Sequence, residues 1–207
     1  MSPPLTRVLA LHGWMDNAAS FDRLGEQLAS HGAEVIAVDF AGHGESPHRA
    51  PYVAVDYALD VVDFVHDMGW DDGAGFVLMG HSMGGGIACL AACVLGEHLK
   101  SLVLLEGLGL LPRPPSFAPE ALRAASEARR SRSRTPKVYA TIEDAVNARI
   151  RTSVNSPGDQ RPMDASSAEA IVNRSLRRCD GGFSFTHDVR FKRMGRCLFV
   201  HFKECVF

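Results

Sequence analysis

No apolar run in this sequence approaches the roughly 20 residues that a membrane-spanning helix needs, so no span is expected. Charge of one sign is also missing. The formal net charge of −2 gives no general attraction to nucleic acid or to an anionic membrane surface. The five cysteines follow neither zinc-ligand nor redox spacing, and their odd number does not suit a disulfide framework. Cys89 and Cys93, four apart, are expected on a helix as small core residues, and a reducing compartment fits best. The first residues, MSPPLTRVLALHG, have a short apolar run and no small-residue cleavage site, unlike a signal peptide. The final CVF is neither a prenylation box nor a peroxisomal tripeptide. The cytoplasm is the default location. Internal repeats and long low-complexity tracts are absent too. What remains is 207 residues of ordinary globular composition, long enough for one sizeable core.

Four short apolar runs stand out in the first half, at 8–11, 35–38, 76–79 and 102–105. None alternates apolar with polar, the texture of strands buried on both faces of a parallel sheet. Helical patterns lie between them. Phe21, Leu24 and Leu28 share a face before a stop at His31-Gly32. Ala58, Val61, Val62, Val65 and Met68 share another, ending at Gly69. Ile87, Leu90, Ala91 and Val94 make a third, ending at Gly96. Strand alternating with helix at this spacing predicts right-handed crossovers and a layered α/β domain with a mostly parallel sheet.

After Leu105 the rhythm breaks at Pro112, Pro114, Pro115 and Pro119, and the basic run Arg129, Arg130, Arg132, Arg134 follows. Thr141-x-x-Asp144 and Ser166-x-x-Glu169 read as capping boxes opening helices. Ile142, Val146 and Ile150 stripe the first, Val172 and Leu176 the second. Three helices without an intervening strand predict an excursion from the sheet, a cap or lid. A solvated surface explains the arginine run better than an anion site does, and no nucleic-acid partner is expected.

The segment FVLMGHSMGGGIACLAA, 76–92, sets Ser82 between Gly80 and Gly84, after a strand and before a helix. A serine on so sharp a turn is lifted clear of the sheet, and bulk at either glycine would strike the neighbouring strand or helix. The N–H of Met83 then lies at a helix N-terminus, where developing negative charge is stabilised. The first strand exits at His12-Gly13-Trp14, the place from which a second oxyanion donor would come, and the N–H of Trp14 is suitably sited.

The stretches LHGWMDNAASFDRL, AVDFAGHGESPHR and VLMGHSMGGGIA resemble the α/β-hydrolase fold family, and within it the serine hydrolase-like proteins. The resemblance runs from about Val8 to Leu111, and GGFSFTHDVRFKR from Gly181 is similar to the segment by which that group returns from its cap to the sheet. It implies Ser82 as nucleophile, the N–H groups of Trp14 and Met83 as oxyanion hole, and neither a metal nor an organic cofactor. It makes 39–46 a turn shaping the pocket floor, without a catalytic role, and brings in peroxisomal association as a second location. The organisation expected is a core at 1–106, a helical cap at 107–180, and a return segment with a final strand at 181–207. The sheet is expected to be incomplete at both ends relative to the family.

A triad in this fold runs serine, acid, histidine along the chain. His81 neighbours Ser82 but points along the turn, and His43 and His48 precede the serine in the floor loop. His187 and His201 follow it, His201 inside a predicted strand at 198–202. None is nominated. Glu106, directly after the fourth apolar run, is the candidate acid, at the site where haloalkane dehalogenases, among other branches, carry theirs; its alternative is a polar strand-end residue lining the pocket. The expected activity is hydrolysis of a small ester-like substrate through an acyl-enzyme on Ser82. The alternative is a catalytically silent protein of the same fold, lacking the triad histidine and acting by binding.

Overall fold

The computed structural model describes residues 6–49, 52–107, 114–130, 135–153 and 162–191. The predicted strand at 198–202, His201, Pro112, Arg132 and Arg134 lie outside them. The four apolar runs become β1 (Thr6–Leu11), β2 (Ala33–Val38), β3 (Phe76–His81) and β4 (Leu99–Leu105). They form one parallel sheet in the order β2-β1-β3-β4. Burial on both faces holds for the central pair: Leu9, Leu11, Phe76 and Leu78 face one side, Val8, Ala10 and Met79 the other. Among the described residues β2 and β4 have a neighbour on one side only, and they are partly exposed, Leu102 among them.

Helix α1 (Asp22–Ser30) covers the Val8–Met79 side through Leu24 and Leu28, with buried Phe21 just before it. Helices α2 (Ala54–Asp67) and α3 (Met83–Leu95) cover the opposite side. Helices on both faces are what right-handed crossovers between parallel strands produce. The buried stripe of α3 is Ile87, Ala88, Ala91 and Leu95, rotated from the one expected: Val94 is 65% exposed. The same rotation puts Cys93 in solvent and Cys89 halfway in, so only Cys89 contributes to packing. Met68, past the end of α2, is also exposed.

Beyond 107 the described residues hold α4 (Ala118–Arg130), α5 (Ile142–Ser153) and α6 (Ala165–Ser175). Thr141 opens α5 as expected: its hydroxyl accepts the Asp144 N–H, while the Asp144 carboxylate accepts the Thr141 N–H. The second box is corrected. Asp164, not Ser166, caps α6, accepting the Ser167 N–H. The absence of strands is corrected as well. β5 (Val138–Tyr139), β6 (Leu176–Cys179) and β7 (Gly182–Phe185) form a small antiparallel sheet in the order β5-β7-β6. Leu176, expected on the helix stripe, is the first residue of β6. It still packs on the α5–α6 cluster of Ala145, Val146, Ala168 and Val172.

The chain then returns to the first sheet. The Asp188 N–H donates to the Gly42 carbonyl at 3.0 Å, and the fully buried Phe191 ring meets Trp14, His43 and Tyr52. Among the described residues no helix is long and apolar enough to cross a membrane.

Candidate active site

At the junction of β3 and α3, Ser82 has φ 50° and ψ −113°, a conformation that L-residues avoid and that costs about 1–3 kcal/mol. The flanking glycines make the turn possible. A Cβ on Gly80 would stand 2.6 Å from the Gly84 carbonyl carbon, inside the helix start, and one on Gly84 would stand 2.7 Å from the His12 carbonyl oxygen at the end of β1. Leu105 at the end of β4 accepts the Ser82 N–H at 2.9 Å, and the Ser82 carbonyl accepts the Gly85 N–H at 3.0 Å. The kink is therefore held from three sides, and its serine side is exposed.

The non-glycine residues with positive φ among the described residues are Met15 (60°), Ser82 (50°) and Glu106 (51°). They follow β1, β3 and β4, so all three strained positions lie along the C-terminal edge of the sheet, where open α/β sheets bind ligands. Strain held in place by surrounding contacts is typical of functional sites.

The loop after β1 is fixed almost residue by residue. His12 is fully buried; its Nδ1 faces the Gly13 carbonyl at 2.8 Å and its Nε2 accepts the Phe40 N–H at 3.0 Å. These partners require a neutral imidazole with its proton on Nδ1, and burial lowers its pKa accordingly. Gly13 lies against the His81 ring and beside Ser82, where a side chain would clash. Asp16 pairs with Arg149 of α5. Asn17 accepts the Ala19 N–H and donates to the Ile171 carbonyl at 2.7 Å and to the Ser175 hydroxyl, both on α6. The Ala18 N–H goes to Asp39 at 2.7 Å, and Arg174 of α6 reaches the same carboxylate at 2.9 Å. Within this frame the Trp14 N–H donates to no backbone carbonyl of the described residues, and the Met83 N–H is a first-turn donor without an intrahelical acceptor. Among the described residues, no backbone acceptor is thus found for either N–H group expected for the oxyanion hole.

Among the described residues no imidazole hydrogen-bonds the Ser82 hydroxyl. His12 is occupied on both nitrogens. His43 is buried, stacked on Phe191 at 4.4 Å, and held to a pKa of about 3 by burial and by nearby His12. His48 faces the Thr186 carbonyl at 2.7 Å. His187 lies beside Phe185, with ring centroids 5.4 Å apart. His81 has its Nε2 3.5 Å from the Glu106 carboxylate. Glu106 itself is strongly exposed, so this contact is weak. Glu106 does stand at the edge shared with Ser82: Gly107, which follows it, would place a Cβ 3.2 Å from the Ser82 carbonyl oxygen.

Sequence reading missed the loop's anchors. Asn17 carried a signal, a residue fit to cap the short helical turn of 18–21. The partners of Asp16 and Asp39 are 133 and 135 residues away, and no local pattern announces them.

The alpha/beta hydrolase fold family matches residues 6–135. A serine hydrolase-like protein of Dictyostelium discoideum is 30% identical over 201 residues, covering 94% of this chain and 53% of that protein. A serine hydrolase-like protein of Danio rerio is 31% identical over 207 residues, covering 96% and 60%. The crystal structure of a hypothetical protein from Pseudomonas aeruginosa PAO1 superimposes with a TM-score of 0.76 at 39% identity, covering 91% of this chain and 64% of that one. The chain therefore spans little more than half the length of the curated relatives it matches.

Proposed function

This chain belongs to the alpha/beta hydrolase fold family, and on that premise we propose that it is the catalytic part of a serine hydrolase acting on an ester-like carbonyl. The single observation that supports this best is the strained, exposed Ser82 at the start of α3, beside the Gly13 that precedes Trp14. Ser82 attacks the carbonyl carbon. The oxyanion is received by the N–H groups of Trp14 and Met83, one on a braced loop and one at the start of α3, where the helix dipole adds to it. The leaving alcohol departs, an acyl-serine remains, and water hydrolyses it.

Among the described residues no histidine is brought to Ser82 as proton acceptor, and Glu106 is the carboxylate proposed to orient one. The described residues between 114 and 180 are proposed to form a cap over the core, with 181–191 returning from it. Removing one triad member costs about 10⁴-fold and leaves roughly 10³–10⁴-fold over water from the oxyanion hole and binding.

The test is stopped-flow hydrolysis of p-nitrophenyl acetate. A burst of p-nitrophenol stoichiometric with protein, abolished in Ser82→Ala, is the expected result. Release without a burst and unchanged in Ser82→Ala would overturn the reading and favour a silent, ligand-binding protein of this fold.

A further inference from the structure

Immediately past the Trp14 donor, Met15 and Asp16 become the wall of a cavity of about 470 Å³ between α5, α6 and the small sheet. That volume lies within the range of small-molecule sites, roughly 300–1,000 Å³, and is too small for a macromolecule. Its charge is unlike that of the whole chain. Among the described residues, Lys137, Arg149 and Arg151 line it against one carboxylate, Asp16, on a protein whose formal net charge is −2.

The carboxylate is already neutralised. Asp16 is nearly buried and pairs with Arg149, whose Nε remains buried without a hydrogen-bond partner among the described residues. Lys137 and Arg151 have no carboxylate partner among the described residues. Both sit beside Tyr139, with the Lys137 ammonium 4.8 Å from its ring centroid and Arg151 acting electrostatically on its hydroxyl. Ile171 and Phe185 add apolar wall to the same cavity. Cations without a carboxylate partner among the described residues, on the wall of a partly apolar cavity, suit one kind of ligand: an apolar group ending in an anion.

We propose that this cavity binds the substrate's remote end, and that this end is anionic, a carboxylate or a phosphate, held by Lys137 and Arg151. The proposal rests on Ser82 as the reacting group, since the cavity wall begins at Met15, the residue after the Trp14 donor. Arg151 also lies in the last turn of α5, where a cation offsets the helix dipole, so its variant alone is not diagnostic. The paired variant is.

The experiment measures binding to Ser82→Ala, which removes turnover from the result. The probes are glutaranilic acid, its neutral counterpart valeranilide, and phenyl phosphate, followed by calorimetry in 20 mM and 500 mM NaCl. At low salt at least one anion is expected to bind tenfold or more tighter than valeranilide. The tighter of the two anions identifies the group. Lys137→Met/Arg151→Met and the higher salt should each reduce that preference to within about threefold. Anions that bind no tighter than the neutral amide, or a preference that survives the double variant, overturn the proposal. In active protein the same preference is read as the kcat/KM ratio of mono-p-nitrophenyl glutarate over p-nitrophenyl valerate. Ester turnover with a ratio near one overturns the anion site and leaves the serine reading standing; anion-selective binding without a Ser82-dependent burst does the reverse.

Discussion

His12 and His43 are neighbours, their rings 5.0 Å apart, and burial disfavours a second proton on either. His12 spends both nitrogens on backbone groups, and His43 is enclosed by Phe191, Trp14 and His12 with its Nε2 unpartnered among the described residues. Both pKa values are lowered, by burial first, that of His43 to about 3. The sign of the linkage follows. Unfolded histidines bind protons near pH 6.5 while the folded ones do not, so stability falls as pH drops below 6.5, and for His43 it continues to fall to about pH 3. Each such histidine steepens the loss by up to about 1.4 kcal/mol per pH unit. Urea unfolding from pH 7 to pH 4 should show this slope, and His43→Phe, keeping a ring against Phe191, should reduce it by about one proton. An unchanged slope in the variant would mean that His43 takes up its proton in the folded state.

At the scale of elements, the strands of the parallel sheet were legible because doubly buried strands need uninterrupted apolar residues, and VLAL and FVLM have them. The stops at Gly32 and Gly69 were legible too: both glycines take positive φ just past a helix end. The small sheet was not. β5 has two residues, and β6 reads Leu-Arg-Arg-Cys, which carries no strand pattern. Leu176 misled because it packs on the same cluster as Val172, continuing a helical spacing past the point where pairing with β7 takes over. The turn at Ser82 was legible in its glycines, whose reason lies between elements. Gly84 lets α3 start against the Leu11 and His12 carbonyls of β1. Gly84→Ala should therefore push α3 from β1, costing on the order of 3 kcal/mol in chemical denaturation. Ala88→Gly in the same helix should cost about 1 kcal/mol. Equal costs for the two would remove the contact between α3 and β1 as the reason for the glycine.

Over the whole molecule, the candidate site is the meeting point of distant segments. Arg174 of α6 reaches Asp39 after β2, Arg149 of α5 reaches Asp16 after β1, and Asp188 and Phe191 close on the floor loop at Gly42 and His43. Each tie joins the 142–191 part to the C-terminal edge of the parallel sheet. The loop that offers Trp14 is thereby positioned by residues far along the chain, which is why its partners could not be read locally. What the sequence did show was the place where the serine would be lifted. The most direct measurement is reaction of the folded, full chain with a fluorophosphonate probe, followed by peptide mapping. One adduct per chain, on Ser82 and lost in Ser82→Ala, is the predicted result. No adduct on Ser82 in protein with a cooperative unfolding transition would contradict an activated serine.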